Sequence, residues 1–168
     1  MDRLQGYKIQ GIRTSQEHKK LTKALNYCVS LLHDCKIHPQ PIQKICVVDS
    51  NRPYWGKCKK RWNWYVVEIN RELLRVHIPI IALVQTLLHE FCHAIPNGMH
   101  HEGIWKDATN MINQRYGYCI QPTNSLKSIC HHTYVTSKHT NNKNKNTNIG
   151  ETHVRQNSRI GREERCCI

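Results

Sequence analysis

Two histidines stand four residues apart in His89-Glu90-Phe91-Cys92-His93, with a carboxylate between them. On a helix, positions i and i+4 share a face one turn apart, so both imidazoles can reach one metal ion. Glu90 then lies where it can touch a water held by that ion. This is the HExxH pattern, in which two zinc ligands are paired with a general base. A chain this rich in His and Glu meets the pattern by chance about 4 times in a hundred, so the string alone decides little and its surroundings must.

Zinc in a catalytic site takes three protein ligands and leaves one position open. His100 and His101 compete for the third place, with Glu102 as a further oxygen donor. The connection from Ala94 to His100 contains Pro96 and Gly98 and can turn sharply. A helix is expected to begin near Glu102, because Trp105, Ala108, Thr109, Ile112 and Tyr116 recur at helical spacing. His101 would sit at its N-terminus. The positive end of the helix dipole favours the neutral imidazole there, which is the form that binds metal. His101 is therefore the expected third ligand.

The run from His89 through Pro96, Gly98, His101 and Trp105 resembles the active-site segment of the SprT-like metallopeptidases, which include the Spartan and Wss-type proteases. That family reads HExxH, a short Pro/Gly connection, then His-Gly-x-x-Trp/Phe. Counting back four from Trp105 lands on His101, although glycine here follows one residue later, at Gly103. Trp55-Gly56-Lys57-Cys58 resembles a Trp-Gly-x-Cys strand of the family, and Glu68-Ile69-Asn70 with Leu73-Leu74 resembles its lead into the metal helix. Arg115-Tyr116-Gly117-Tyr118 is similar to the end of its last core helix. The resemblance spans about residues 10 to 124. It implies a zinc peptidase in which His89, His93 and His101 hold Zn²⁺ and Glu90 is the general base. It also implies a protein substrate on or near DNA.

The elements that must position these residues are legible from periodicity. Val84, Leu87, Leu88, Phe91, Cys92 and Ile95 form an apolar stripe that predicts a helix over 79–95, with Pro79 in its first turn and Pro96 and Gly98 ending it. Thr14-Ser15-Gln16-Glu17 reads as a capping box. Leu21, Ala24, Leu25, Cys28, Leu31 and Leu32 follow, predicting a helix over 15–34 that packs on the metal helix and leaves His18 and His33 at the surface. After the His38–Pro41 linker, three strands are expected at 42–48, 54–58 and 62–69, with Lys59-Lys60-Arg61 as a hairpin tip. In the third strand, Trp64, Val66 and Glu68 take one face and Tyr65, Val67 and Ile69 the other. The fold class is α+β: a small zincin-like domain with an N-terminal helix, a three-stranded sheet, the metal helix and a following helix.

Composition sets the limits. The domain is expected to occupy residues 1–124, and 125–168 form a basic, Asn/Lys/Thr-rich tail unable to build a core. The net charge is +13, with 17 basic and 9 acidic groups before residue 125 and 8 and 3 after it. This balance fits a polyanion such as nucleic acid, and Lys57, Lys59, Lys60 and Arg61 stand among Trp55, Trp62, Trp64 and Tyr65. Tryptophans more often belong to a core, so a solvated tip over buried rings is the plainer expectation. With nine cysteines, no apolar leader and no membrane-length run, an intracellular, reducing setting is expected, with Cys as small buried hydrophobes. No Cys-x-x-Cys occurs. Cys119, Cys130, His131 and His132 lack the paired spacing of a structural zinc site, and Cys166-Cys167 do not make a prenylation box. The principal reading is a zinc metallopeptidase. The alternatives are a basic nucleic-acid-binding protein with a structural zinc site, and a metal-stabilised scaffold without turnover. The sequence identifies no oxyanion stabiliser; Tyr116 and His100 are candidates, though either is more often a packing or surface group.

Overall fold

The computed structural model describes residues 6–49 and 54–122. The turn residues 50–53 and the expected tail, with Cys130, His131, His132 and Cys166-Cys167, lie outside the described residues.

Helix α1 runs Ser15–Asp34. Thr14 caps it, its Oγ1 accepting from the Glu17 N–H at 3.1 Å. The Glu17 carboxylate accepts from the Arg13 N–H at 2.8 Å and from Arg71, and the Thr14 backbone N–H, the other half of the box, also favours its charged form. Leu21, Ala24, Leu25, Cys28, Leu31 and Leu32 are all buried, as the stripe predicts, and each large one contributes about 1.5–3 kcal/mol by leaving water. His18 and His33 are exposed.

The sheet has four strands rather than three: β1 (Lys8–Gln10), β2 (Ile42–Val48), β3 (Gly56–Arg61) and β4 (Trp64–Asn70), in the order β1-β2-β4-β3. β1 runs parallel to β2, and β2 parallel to β4; β3 is antiparallel to β4 at one edge. The strand at 8–10 escapes a sequence reading because three residues carry no period, and only pairing with β2 makes them a strand. The hairpin is also shifted. Lys59, Lys60 and Arg61 are strand residues, paired with Val66, Tyr65 and Trp64, and the tip is Trp62-Asn63. Lysines favour strands poorly, but ladder pairing overrides that preference.

One face of the sheet carries Ile45, Val47, Val67 and Ile69 into the hydrophobic core, where α1 and helix α2 (Ile80–His93) meet them. The other face carries Lys44, Val66 and Glu68, none of which belongs to that core. A short 3-10 turn, Arg71–Leu74, leads from β4 toward α2. α2 is shorter than expected at both ends: Pro79, at φ −58° and ψ 140°, is its cap and not its first turn. Residues 82–93 of α2 are all buried. α1 packs along it, with the Cys28 thiol 3.5 Å from the Val84 carbonyl. Helix α3 (Ile104–Tyr116) buries Trp105, Ala108, Thr109 and Ile112 and ends at Gly117, whose φ of 67° suits a residue without Cβ. Among the described cysteines, Cys28, Cys35 and Cys92 are buried, whereas Cys46, Cys58 and Cys119 are half-buried and all six are free. No helix among the described residues is long and apolar enough to cross a membrane.

Candidate metal centre

His89 and His93 lie on the last turn of α2, and His101 comes from the loop before α3. The Nε2 atoms of His93 and His101 stand 3.2 Å and 3.1 Å from Nε2 of His89. The three ligand atoms all lie within 4.8 Å of one another. Two nitrogens bound tetrahedrally to zinc at about 2.0–2.1 Å would sit roughly 3.3 Å apart, so the spacing fits a shared ion. Three imidazoles can hold a metal ion here. His100, the competing candidate, is exposed and outside the cluster, and Glu102 is exposed.

The local chain explains this convergence. Nδ1 of His93 lies 2.9 Å from the Gly98 carbonyl oxygen. An Nδ1–H donating there leaves the Nε2 lone pair facing the other two rings. Gly98 is folded tightly under the helix end: its N–H donates to the Ile95 carbonyl at 2.8 Å, and a Cβ on it would meet the Cys92 carbonyl oxygen at 2.4 Å. The Pro96–Gly98 turn thus orients a ligand as well as reversing the chain. Gly103, at φ 51°, lets the chain enter α3 just after His101.

Trp105 lies beneath all three imidazoles. It is buried, stacks on His93 at 5.6 Å between ring centres, and meets His89 and His101 edge-on at 4.9 and 4.6 Å. Its indole N–H donates to the His89 carbonyl at 3.3 Å. In the sequence Trp105 serves only as a landmark for counting; the structure makes it the platform of the site.

Burial keeps the rings neutral. His89 is pushed down to about 3, first by burial and then by His93 and His101. Its Nδ1 is buried without a hydrogen bond of ordinary geometry, although the Gln121 backbone partly offsets the shift. His93 is lowered by burial and by the charges of His101 and His100, and the Gly98 hydrogen bond opposes this. His101 is lowered by burial and then by His100. α3 begins three residues later, at Ile104, so His101 stands in the loop before the helix rather than at its first residue.

Glu90 stays outside the ligand cluster. Its side chain turns to the edge strand β3, where the Cys58 backbone N–H supports the carboxylate, while burial pushes its pKa up to about 8. The strand comes this close because of Gly56: a Cβ there would stand 2.6 Å from Oε1 and 2.8 Å from Cγ of Glu90, and 2.8 Å from Cγ2 of Thr86. Gly56 is visible in the sequence only as part of the Trp-Gly-x-Cys string. Tyr116 is not near this chemistry. Its hydroxyl donates to Asp34 at the end of α1, which raises its pKa to about 12, so the expectation that it could stabilise an oxyanion is corrected.

No family model, curated protein or solved structure matches this chain.

Proposed function

We propose that this protein is a zinc-dependent peptidase of the SprT-like type, with a small zincin-like domain. The observation that carries the reading is a set of three neutral, converging imidazoles with one buried carboxylate beside them. Three imidazole nitrogens within 4.8 Å of one another suit Zn²⁺, and His89, His93 and His101 would hold it. When bound, zinc makes a water acidic near neutral pH and polarises a carbonyl.

The chain's own residues supply the rest. Glu90 takes the proton of the attacking water and passes it to the leaving amine. The Cys58 backbone N–H beside the carboxylate favours the ionised form that the first half of that transfer needs. Trp105 and Gly98 hold the rings in register. β3 ends the sheet, so an extended protein segment can add to its free edge and pass the Glu90 carboxylate on the way. The substrate class is therefore an extended or locally unfolded protein chain.

The test combines two readouts on purified protein: zinc content, and cleavage of an unfolded protein substrate. Glu90→Gln should keep one zinc per chain and lose cleavage. Full cleavage by that variant would remove Glu90 from the mechanism. A wild type that binds zinc yet cleaves nothing would favour a metal-stabilised scaffold.

A further inference from the structure

The edge strand that borders Glu90 is charged in one sense only. β3, Gly56-Lys57-Cys58-Lys59-Lys60-Arg61, holds cations at Lys57, Lys59, Lys60 and Arg61 and has no carboxylate. Gly56 abuts the Glu90 carboxylate and the Cys58 N–H supports it, so the strand starts at the candidate general base and runs outward to the hairpin tip. Its cations are divided between two faces. Lys60, opposite Tyr65, shares the core-side face with Cys58, opposite Val67; Lys57, Lys59 and Arg61 take the other face, opposite Glu68, Val66 and Trp64. Lys59 pairs with Glu68, and Lys57 lies 5.9 Å from the centre of the Tyr54 ring. Among the described residues, Lys57, Lys60 and Arg61 are exposed and have no carboxylate in ion-pair contact. The same sign continues behind the edge, where Lys8, Lys44 and Lys59 fall in one row across the sheet.

Trp62, at the tip, is 96% exposed, whereas Trp55 is core. The expectation that the hairpin tip covers core tryptophans holds for Trp55 and fails for Trp62. Lysines on an edge strand guard against pairing between sheets. That role does not require the cations to start at a buried carboxylate. Here Arg61 is only three residues beyond Cys58, roughly 10 Å along the strand, so all three unanswered cations border the path a substrate would take.

We propose that the β3 edge makes this site selective for acidic segments: an extended protein chain carrying Asp or Glu about two to four residues from the scissile bond, on the side that runs along β3 toward Trp62. Side chains of a strand added to this edge stand about 5 Å, Cβ to Cβ, from Lys57, Lys60 and Arg61; opposite charges there attract and a Lys- or Arg-rich segment is repelled. A polyphosphate would answer the cations but leave the edge N–H and C=O groups to water, whereas an extended acidic peptide satisfies both. The bond-breaking part rests on the peptidase reading; the docking part does not.

Two labelled peptides of about 14 residues, long enough to span β3 and the metal centre, test this; one carries Asp and Glu in those positions, the other Asn and Gln. Docking is read by fluorescence anisotropy on the zinc-loaded Glu90→Gln chain, and cleavage on the zinc-loaded wild type. The acidic peptide should bind about tenfold more tightly and be cut with about tenfold higher kcat/KM, the gain lying in KM. Both differences should shrink between about 50 and 500 mM salt as the charges are screened. Lys60→Glu with Arg61→Glu should keep zinc and abolish the preference; the gentler Lys60→Gln with Arg61→Gln should reduce it about threefold. Equal binding and equal cleavage of the two peptides overturn the inference, leave the lysines as guards of the edge and keep the peptidase reading. A preference that survives in both edge variants overturns it as well. Acidic-selective binding without cleavage of either peptide by the wild type sinks the peptidase reading and upholds the selectivity of the edge.

Discussion

Two polar clusters in this protein lie at opposite extremes. Around α2, two buried imidazoles, a half-buried third and a buried carboxylate stand together, and loss of water drives each toward its neutral form. Where α1, β2 and the 3-10 turn meet, Glu17, Asp49 and Arg71 are each driven toward the charged form by their partners. Arg71 reaches Glu17 at 2.7 Å and Asp49 at 2.6 Å and donates to the Gly11 carbonyl, while Arg13 adds a second contact to Asp49. The second cluster is complete: its charges answer one another, and it ties three segments together. The first is incomplete, because neutral nitrogens converge on a point and no cation among the described residues meets them. Buried groups left without a charge partner mark the place where a ligand belongs; paired groups at a surface mark a structural tie.

The sharpest way to break this contrast is to remove ligands. His93→Ala or His101→Ala should abolish stoichiometric zinc in purified protein, whereas His100→Ala should retain it. Glu90→Gln should retain zinc and lower cleavage by about 10²–10⁴. Zinc retained in both His93→Ala and His101→Ala would show that the convergence has no bearing on metal.

Gly56→Ala tests whether β3 cradles the carboxylate. The added methyl would fall 2.6 Å from Glu90 Oε1, so Glu90 must move or the strand must retreat. Zinc should remain, cleavage should fall at least tenfold, and stability should drop by about 1–3 kcal/mol. Wild-type activity in this variant would mean that Glu90 has room the structure does not show.

Trp105→Phe removes the indole donor from the His89 carbonyl while keeping an aromatic platform. Competition with a chelator should show zinc affinity reduced about tenfold, in the range expected for outer partners of metal ligands. An unchanged affinity would reduce Trp105 to packing.

The smallest effect belongs to the charged cluster. Arg71→Ala should lower the Tm by about 4 °C near neutral pH and leave zinc content unchanged. Glu17 and Asp49 have folded pKa values below their unfolded ones. Their contribution is present above the ordinary carboxylate range and is lost as pH falls through the lower folded values. The wild type and Arg71→Ala should therefore converge in stability in acid. A Tm difference that persists there would assign the effect to lost packing of the arginine stem.

Sequence periodicity located α1 to the residue and placed the two helical histidines on one turn, because both depend on contacts within a few residues. Preferring His101 to His100 needed only a count and a resemblance. The same reasoning put Lys59-Lys60-Arg61 at a turn and missed β1, since strand pairing is set by partners far along the chain. It also offered Tyr116 as an oxyanion candidate, whereas its hydroxyl is held by Asp34 at the end of α1. Trp62 could not be told from Trp55 by type or neighbours; only the position of the hairpin in the sheet separates an exposed ring from a core one.

What the sequence alone determined is local: an amphipathic α1, an α2 with two imidazoles and a carboxylate one turn apart, and a glycine-bearing turn before a third histidine. What the tertiary structure decided is the distance between elements. It set Nε2 of His101 3.1 Å from that of His89, Gly56 against Glu90, Trp105 beneath the rings, and lysines of β1, β2 and β3 in one row across the sheet. The physical reason is that helical spacing is dictated by neighbouring backbone hydrogen bonds, whereas contacts between elements follow from how the whole apolar core closes, which no short stretch encodes.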